Sequence, residues 1–126
     1  MALDDQGRLA AGTSTAGTNG KLWGRVGDSP LIGAGTWADE TAAVSCTGLG
    51  EAFIRSSAAS QLALRLRLAG EPLAGAAGAV LAEVKAAGGT GGLIAIDRNG
   101  AIVAPYTAEF MAFAYAGADG VMRAEA

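Results

Sequence analysis

Three short stretches carry residue types and spacings that can do chemistry. In Gly24-Arg25-Val26-Gly27-Asp28-Ser29-Pro30, a cation and an anion stand three positions apart in a glycine-bearing loop. Such a pair can hold a zwitterion, the guanidinium gripping a carboxylate in fork geometry and the carboxylate taking an ammonium. The plainer reading pairs Arg25 with Asp28, or leaves both in water. In Cys46-Thr47-Gly48-Leu49-Gly50-Glu51, an apolar run meets a helix start. Free N–H groups at a helix N-terminus attract negative charge, and the Thr47 hydroxyl with the Gly48 N–H can form an oxyanion hole. The plainer reading is a glycine-rich turn with Thr47 as a cap. The same string imitates a dinucleotide fingerprint, but Phe53 stands where its last glycine belongs. The third stretch, Thr13-Ser14-Thr15, offers hydroxyls that either position a nucleophile or satisfy backbone. Cys46 reads as a small buried apolar residue and Lys21 as a loop charge.

Composition narrows what these residues can be. The chain has 126 residues, no histidine and one cysteine. That excludes a Ser-His-Asp triad, a Cys-His pair, a His-ligated metal and a disulfide within the chain. Nine Lys+Arg against twelve Asp+Glu give a net charge of -3, the wrong sign for a nucleic-acid binder. Apolar residues are 51% and charged residues 17%, as in a globular domain. Mean hydropathy is +0.33, much of it from alanine. No apolar run reaches the roughly 18 residues needed to span a bilayer. Asp4 and Asp5 stand where a signal peptide would carry positive charge. The expectation is a cytoplasmic protein with no cofactor, metal, nucleic-acid or membrane partner.

The elements that must position these residues follow from periodicity. Met1–Asp4 and Leu9–Ser14 read as a hairpin around Asp5-Gln6-Gly7. Residues 15–30 read as a loop, Leu31–Gly35 as a short strand or irregular segment, and Ala42–Cys46 as a buried strand. Helical spacing runs from Glu51 to Ala69, with Ile54, Ala58, Leu62, Leu66 and Ala69 on one stripe and Gly70 as its stop. Pro72 opens a second helix to about Ala87, with Leu73, Ala77, Val80 and Val84 inward. Residues 88–92, mostly glycine, stop it. Leu93–Asp97 and Ala101–Tyr106 flank Asn99-Gly100, a hairpin signal. Phe110–Tyr115 is strand-like, and the tail after Gly117 is expected to fray. Strands, two helices, then strands point to an α+β fold with segregated layers.

Taken in order, several strings resemble one family. They are Ala2-Leu3-Asp4, Ala10–Thr15, GRVGDSPLIGAGTWAD (Gly24–Asp39), AVSCTGLGEAFIR (Ala43–Arg55) and GGTGGLIAIDRNG (Gly88–Gly100). The sequence resembles the plant-type L-asparaginase/isoaspartyl peptidase family, hydrolases with an N-terminal threonine nucleophile. The likeness covers residues 2–115 and is to the β-subunit portion. It implies half of an αββα N-terminal-nucleophile hydrolase sandwich, here a single partial domain over residues 1–126. It also implies roles for matching residues. Arg25 would bind the substrate α-carboxylate and Asp28 its α-ammonium. Thr47 and Gly48 would form the oxyanion hole. Val26, Gly27, Leu49 and Gly50 would line the site, and Thr15 would support the nucleophile. The substrate would be L-asparagine or a β-aspartyl peptide. The partners would be an α-subunit half and a second αβ unit.

The family's β subunit begins Thr-Val-Gly-Ala-Val-Ala-Leu-Asp, whereas this sequence begins Met1-Ala2-Leu3-Asp4. The expectation is therefore a chain without its nucleophile and inactive alone. Two other readings stand beside it. One is a non-catalytic binder of aspartate-like ligands that keeps the Arg25/Asp28 pocket. The other is an anion- or nucleotide-binding module built on the Gly48–Glu51 helix start.

Overall fold

Alternation along Ala42–Gly48 sets the plan of the molecule. Ala42, Val44 and Cys46 are buried in the core, while Ser45 and Thr47 lie on the other face of the pleat. In the computed structural model, which describes residues 1–125, this segment is the fourth of eight strands. The chain runs β1 (Ala2–Leu3), β2 (Leu9–Ala10), β3 (Thr36–Ala38), β4 (Ala42–Gly48), α1 (Gly50–Ser56), α2 (Ala58–Ala69), α3 (Leu73–Ala86), β5 (Gly91–Asp97), β6 (Ile102–Val103), β7 (Phe113–Ala116) and β8 (Met122–Glu125). The central sheet has the order β3-β4-β5-β6, and every pair in it is antiparallel. Among the described residues, β1 pairs only with β2, and β7 only with β8. The architecture is thus mixed α and β with antiparallel sheets, as expected.

The helices cover one face of the central sheet. Val44, Phe53, Leu62, Val80, Val84 and Leu93 are its largest fully buried side chains. Each contributes about 1.5–3 kcal/mol by leaving water. All four residues of the expected α3 stripe are buried. Arg65 ties the helices together at their rim, donating to Glu71 at 2.9 Å and to Glu83 at 2.5 Å.

Four elements differ from expectation. The helix expected over Glu51–Ala69 is two helices, broken at Ser57, whose φ of 48° is left-handed. The break shifts the phase of the stripe: α1 buries Ala52 and Phe53 rather than Ile54, and Ala69 is exposed. Of the two readings of Leu31–Gly35, the irregular one holds: Gly33 (φ +93°) turns the chain after Ile32, and β3 begins only at Thr36. β5 starts at Gly91, inside the glycine run read as a stop, since Gly91 and Gly92 pair with Gly48 and Thr47. The strand-like run Phe110–Tyr115 begins only at Phe113, and within the tail expected to fray Met122–Glu125 form β8, paired residue for residue with β7, while Ala126 lies outside the described residues. Among the described residues, no helix is long and apolar enough to cross a membrane.

Candidate functional site

Where β4 leaves the sheet, three segments converge. The chain after β2, the loop around Arg25–Ser29 and the end of β4 enclose a cavity of about 450 Å³. Six expected site residues line it: Thr15, Arg25, Gly27, Asp28, Thr47 and Gly48. Three others do not. Val26 and Leu49 are exposed outside it, at 55% and 46%. Gly50 is buried beneath it.

Gly50 makes room for Asp28. A Cβ at Gly50 would sit 2.8 Å from Asp28 Oδ1 and 2.9 Å from the Asp28 backbone nitrogen. On the other side, a Cβ at Gly35 would sit 2.7 Å from Oδ2. The carboxylate is thus wedged between two glycines. The Asp28 carbonyl accepts the N–H groups of Leu31 (2.9 Å) and Gly35 (3.1 Å), which fixes the turn that presents it.

Asp28 is 6% exposed, and its Oδ2 has no hydrogen-bond partner. Burial pushes its carboxyl above the usual aspartate value. Backbone N–H groups and the nearby Arg25 charge oppose that shift without cancelling it. A buried carboxylate with an open oxygen is a ready partner for an ammonium.

Arg25 is held by neither expected partner. It donates from Nε and Nη2 to the two oxygens of Glu51, at 2.9 and 3.0 Å. Nη1 lies on the side of Gly27 and Gly17, where a Cβ would come within 2.9 and 3.4 Å of it. The hydrogen bond from Arg25 is the main reason the Glu51 carboxyl sits below its usual range. Glu51 therefore belongs to the site, although the sequence showed it only as the end of the Cys46–Glu51 stretch and not as a partner of Arg25.

Hydroxyls floor the cavity. Thr13 Oγ1 lies 2.7 Å from Ser45 Oγ and accepts from the Thr36 hydroxyl, whose oxygen also lies 3.2 Å from the Ser29 carbonyl. Thr15 accepts the Gly17 N–H at 2.9 Å, closing a local turn. Thr47 is exposed at the end of β4. Thr13 and Ser45 are thus as much part of the wall as Thr15; Ser45 was missed inside a run read as a buried apolar strand, where period-2 alternation could have found it. Cys46 is 4% exposed in the core cluster, where burial raises its thiol pKa and leaves it unreactive. Lys21 donates to the Ala16 carbonyl at 2.6 Å, a loop contact. Among the described residues, no three His, Cys, Asp or Glu side chains converge to hold a metal.

A cation, a buried carboxylate with an open oxygen and a row of hydroxyls surround one cavity at the end of an antiparallel sheet. The sequence model described as asparaginase matches residues 1–124, and the chain belongs to that family. It is 52% identical to the isoaspartyl peptidase of Escherichia coli (strain K12) over 93% of this chain and 38% of the relative. It is 50% identical to the isoaspartyl peptidase of Salmonella typhimurium, over 93% of this chain and 39% of the relative. With the plant-type L-asparaginase of Pyrococcus horikoshii it shares 41% identity, over 100% of this chain and 41% of the relative. The chain spans about two fifths of the length of these curated relatives.

Proposed function

We propose that these residues form the substrate-holding, β-subunit part of a hydrolase that cleaves the side-chain amide of L-asparagine and of β-aspartyl peptides. The observation that carries this reading is Asp28, buried with an open oxygen beside Arg25 in one cavity. Arg25 takes the α-carboxylate through its Nη1 side, and Asp28 takes the α-ammonium. The side-chain carbonyl is then directed to Thr47 and Gly48, which stabilise negative charge on its oxygen.

The attacking hydroxyl belongs to an N-terminal threonine outside the 126 residues. Its own α-amino group, with a pKa of about 8, is the general base, so no histidine is needed. Attack forms a Thr–acyl ester and expels ammonia, or the amine of a peptide, which leaves with the proton taken by the base. Water then attacks the ester and releases aspartate. Thr15 steadies the nucleophile. Further chain, an α half in a sandwich that pairs as αβ units, completes the sheets. Its need is supported by the two-stranded β1-β2 and β7-β8 pairs and by a cavity where Leu3, Ile94, Ile96 and Ile102 lie uncovered beside Asp4 and Asp5.

Calorimetry with L-aspartate tests the pocket. Heat is expected from the intact chain and none from Arg25→Ala; no heat from the intact chain overturns the reading. The 126-residue chain alone is expected to release no ammonia from L-asparagine, and turnover by it would show that the nucleophile is misplaced. A pocket that binds aspartate, yet stays inactive when an α half and N-terminal threonine are supplied, would be that of a non-catalytic binder.

A further inference from the structure

Asparagine occurs twice in the chain, at Asn19 and Asn99, and each time a glycine follows. That dipeptide is chemically labile. The backbone nitrogen of the second residue can attack the asparagine side-chain carbonyl, and glycine has no side chain to hinder the approach. Asn19, Gly20, Asn99 and Gly100 are all exposed, yet the fold treats the two sites differently.

The Asn99 site is held. The Gly100 N–H, the group that would attack, donates to the Asp97 carbonyl at 3.0 Å. The Asp97 carboxylate accepts the N–H groups of Asn99 at 2.8 Å and Ala101 at 2.9 Å. The Asn19 turn is closed by a single bond, from the Lys21 N–H to the Thr18 carbonyl at 3.2 Å. Among the described residues, neither the Gly20 N–H nor the Asn19 side chain has a hydrogen-bond partner. A Cβ at Gly20 would meet nothing within 4 Å, so the attacking nitrogen stands in open space.

We propose that Asn19 is a modification site, converting to isoaspartate beside the polar cavity, while Asn99 is protected by its turn. The Gly20 nitrogen bonds to Asn19 Cγ, the Cγ–Nδ2 bond breaks, and ammonia leaves with the Gly20 amide proton. Water then opens the cyclic imide. Opening at the backbone carbonyl leaves Gly20 attached through Cγ, which lengthens the main chain by a carbon and frees a carboxylate. The change falls next to the site, since Gly17 and Thr18 line the cavity. Lys21 and Arg25 pack together there: a Cβ at Gly17 would sit 3.2 Å from Lys21 Cδ and 3.4 Å from Arg25 Nη1. A longer main chain breaks the Thr18–Lys21 turn, puts a negative charge beside Lys21 and loosens the wall that carries Arg25. This consequence, unlike the conversion itself, rests on the reading of the cavity given above. The new linkage is β-aspartyl, but its α-nitrogen is acylated by Thr18, so it offers no ammonium to Asp28.

Peptide mapping by mass spectrometry, on the 126-residue chain aged in mildly alkaline buffer, follows both sites, because trypsin separates Leu9–Lys21 from Asn99–Arg123. Electron-driven fragmentation tells isoaspartate from aspartate. Asn19 is expected to convert at least about tenfold faster than Asn99, whose attacking N–H must first give up its bond. In urea the two rates should converge. Asp97→Ala should speed Asn99 and leave Asn19 unchanged. Equal rates in the folded chain, or a slower Asn19, overturn the proposal. Calorimetry on the aged chain is expected to show L-aspartate binding weakened severalfold. Asn19→Gln, which would have to close a larger ring, should keep its affinity through the same ageing. Conversion without that loss of affinity overturns the effect on the cavity alone. A fresh chain that binds no L-aspartate overturns the reading of the cavity, and the two conversion rates still decide for or against Asn19.

Discussion

The two faces of β4 do different work, although they are made by alternate residues of one strand. Toward the helices, Ala42, Val44 and Cys46 are 0%, 0% and 4% exposed and belong to a closed apolar cluster. Toward the other side, Ser45 and Thr47 face a cavity that also holds a cation and a buried carboxylate with an unmet oxygen. One face satisfies all its contacts inside the chain. The other borders a buried carboxylate with one oxygen unmet, and that cost is borne where a ligand can meet it.

The contrast predicts opposite responses to substitution, and the core gives the largest. Phe53→Ala empties a fully buried site between α1 and the sheet. It should cost about 3–5 kcal/mol, read as a lowered denaturant midpoint. A loss below about 1 kcal/mol would mean that the helix-covered face is not what holds the chain together.

Asp28→Asn should do the reverse. L-aspartate binding should weaken by about ten- to a hundredfold, as a charge-assisted contact is lost. Stability near neutral pH should hold or rise, because the Asp28 carboxyl titrates above its ordinary 3.8 in the fold. Its ionised form is therefore disfavoured by folding. The penalty is absent at low pH and grows as pH rises from the ordinary value through the raised one, then stays constant. Ligand affinity should climb over the same window. Thermal melts and calorimetry across pH check both, and a variant that melts lower at pH 7 would place Asp28 among the supporting contacts instead.

How much of this the sequence revealed follows the same division. The core stripe Leu73, Ala77, Val80 and Val84 was legible because burial on a regular helix has a period. The central strand and the Asn99-Gly100 turn were legible for similar local reasons. The break at Ser57 was not. It is held by Ala59 and Ser60 donating their N–H groups to the carbonyls of Ala34 (3.0 Å) and Gly33 (2.9 Å), far away in sequence. A left-handed serine inside an apolar stripe carries no local signature. The Arg25–Glu51 pair was hidden in the same way, 26 residues apart across a loop and a helix start. Arg25 and Asp28 drew attention by their spacing. Only the fold shows that one is buried and open and the other already has a partner.

Gly50→Ala probes the seam between the two faces. The added methyl would press on Asp28 Oδ1 and the Asp28 backbone nitrogen, and backbone cannot yield as a flexible side chain can. A stability loss of about 1–3 kcal/mol is expected, with L-aspartate affinity falling as Asp28 is displaced. A stability loss with affinity intact would show that the strain is relieved through α1 and that Asp28 keeps its place.

The smallest effect is expected at Glu51, which sharpens the contrast within the site itself. Two carboxylates flank Arg25. Asp28 is buried and open, and Glu51 is half in water and already doubly bonded. Glu51 occupies the Nε/Nη2 edge of the guanidinium and leaves the Nη1 side to the cavity. Its charge also opposes an incoming carboxylate, but through solvent that screens it. In Glu51→Gln the shape survives and the charge goes. L-aspartate affinity should rise by no more than about threefold, and the rise should fade with added salt. A fall as large as that of Asp28→Asn would mean that the ion pair with Glu51 is what holds Arg25 in place.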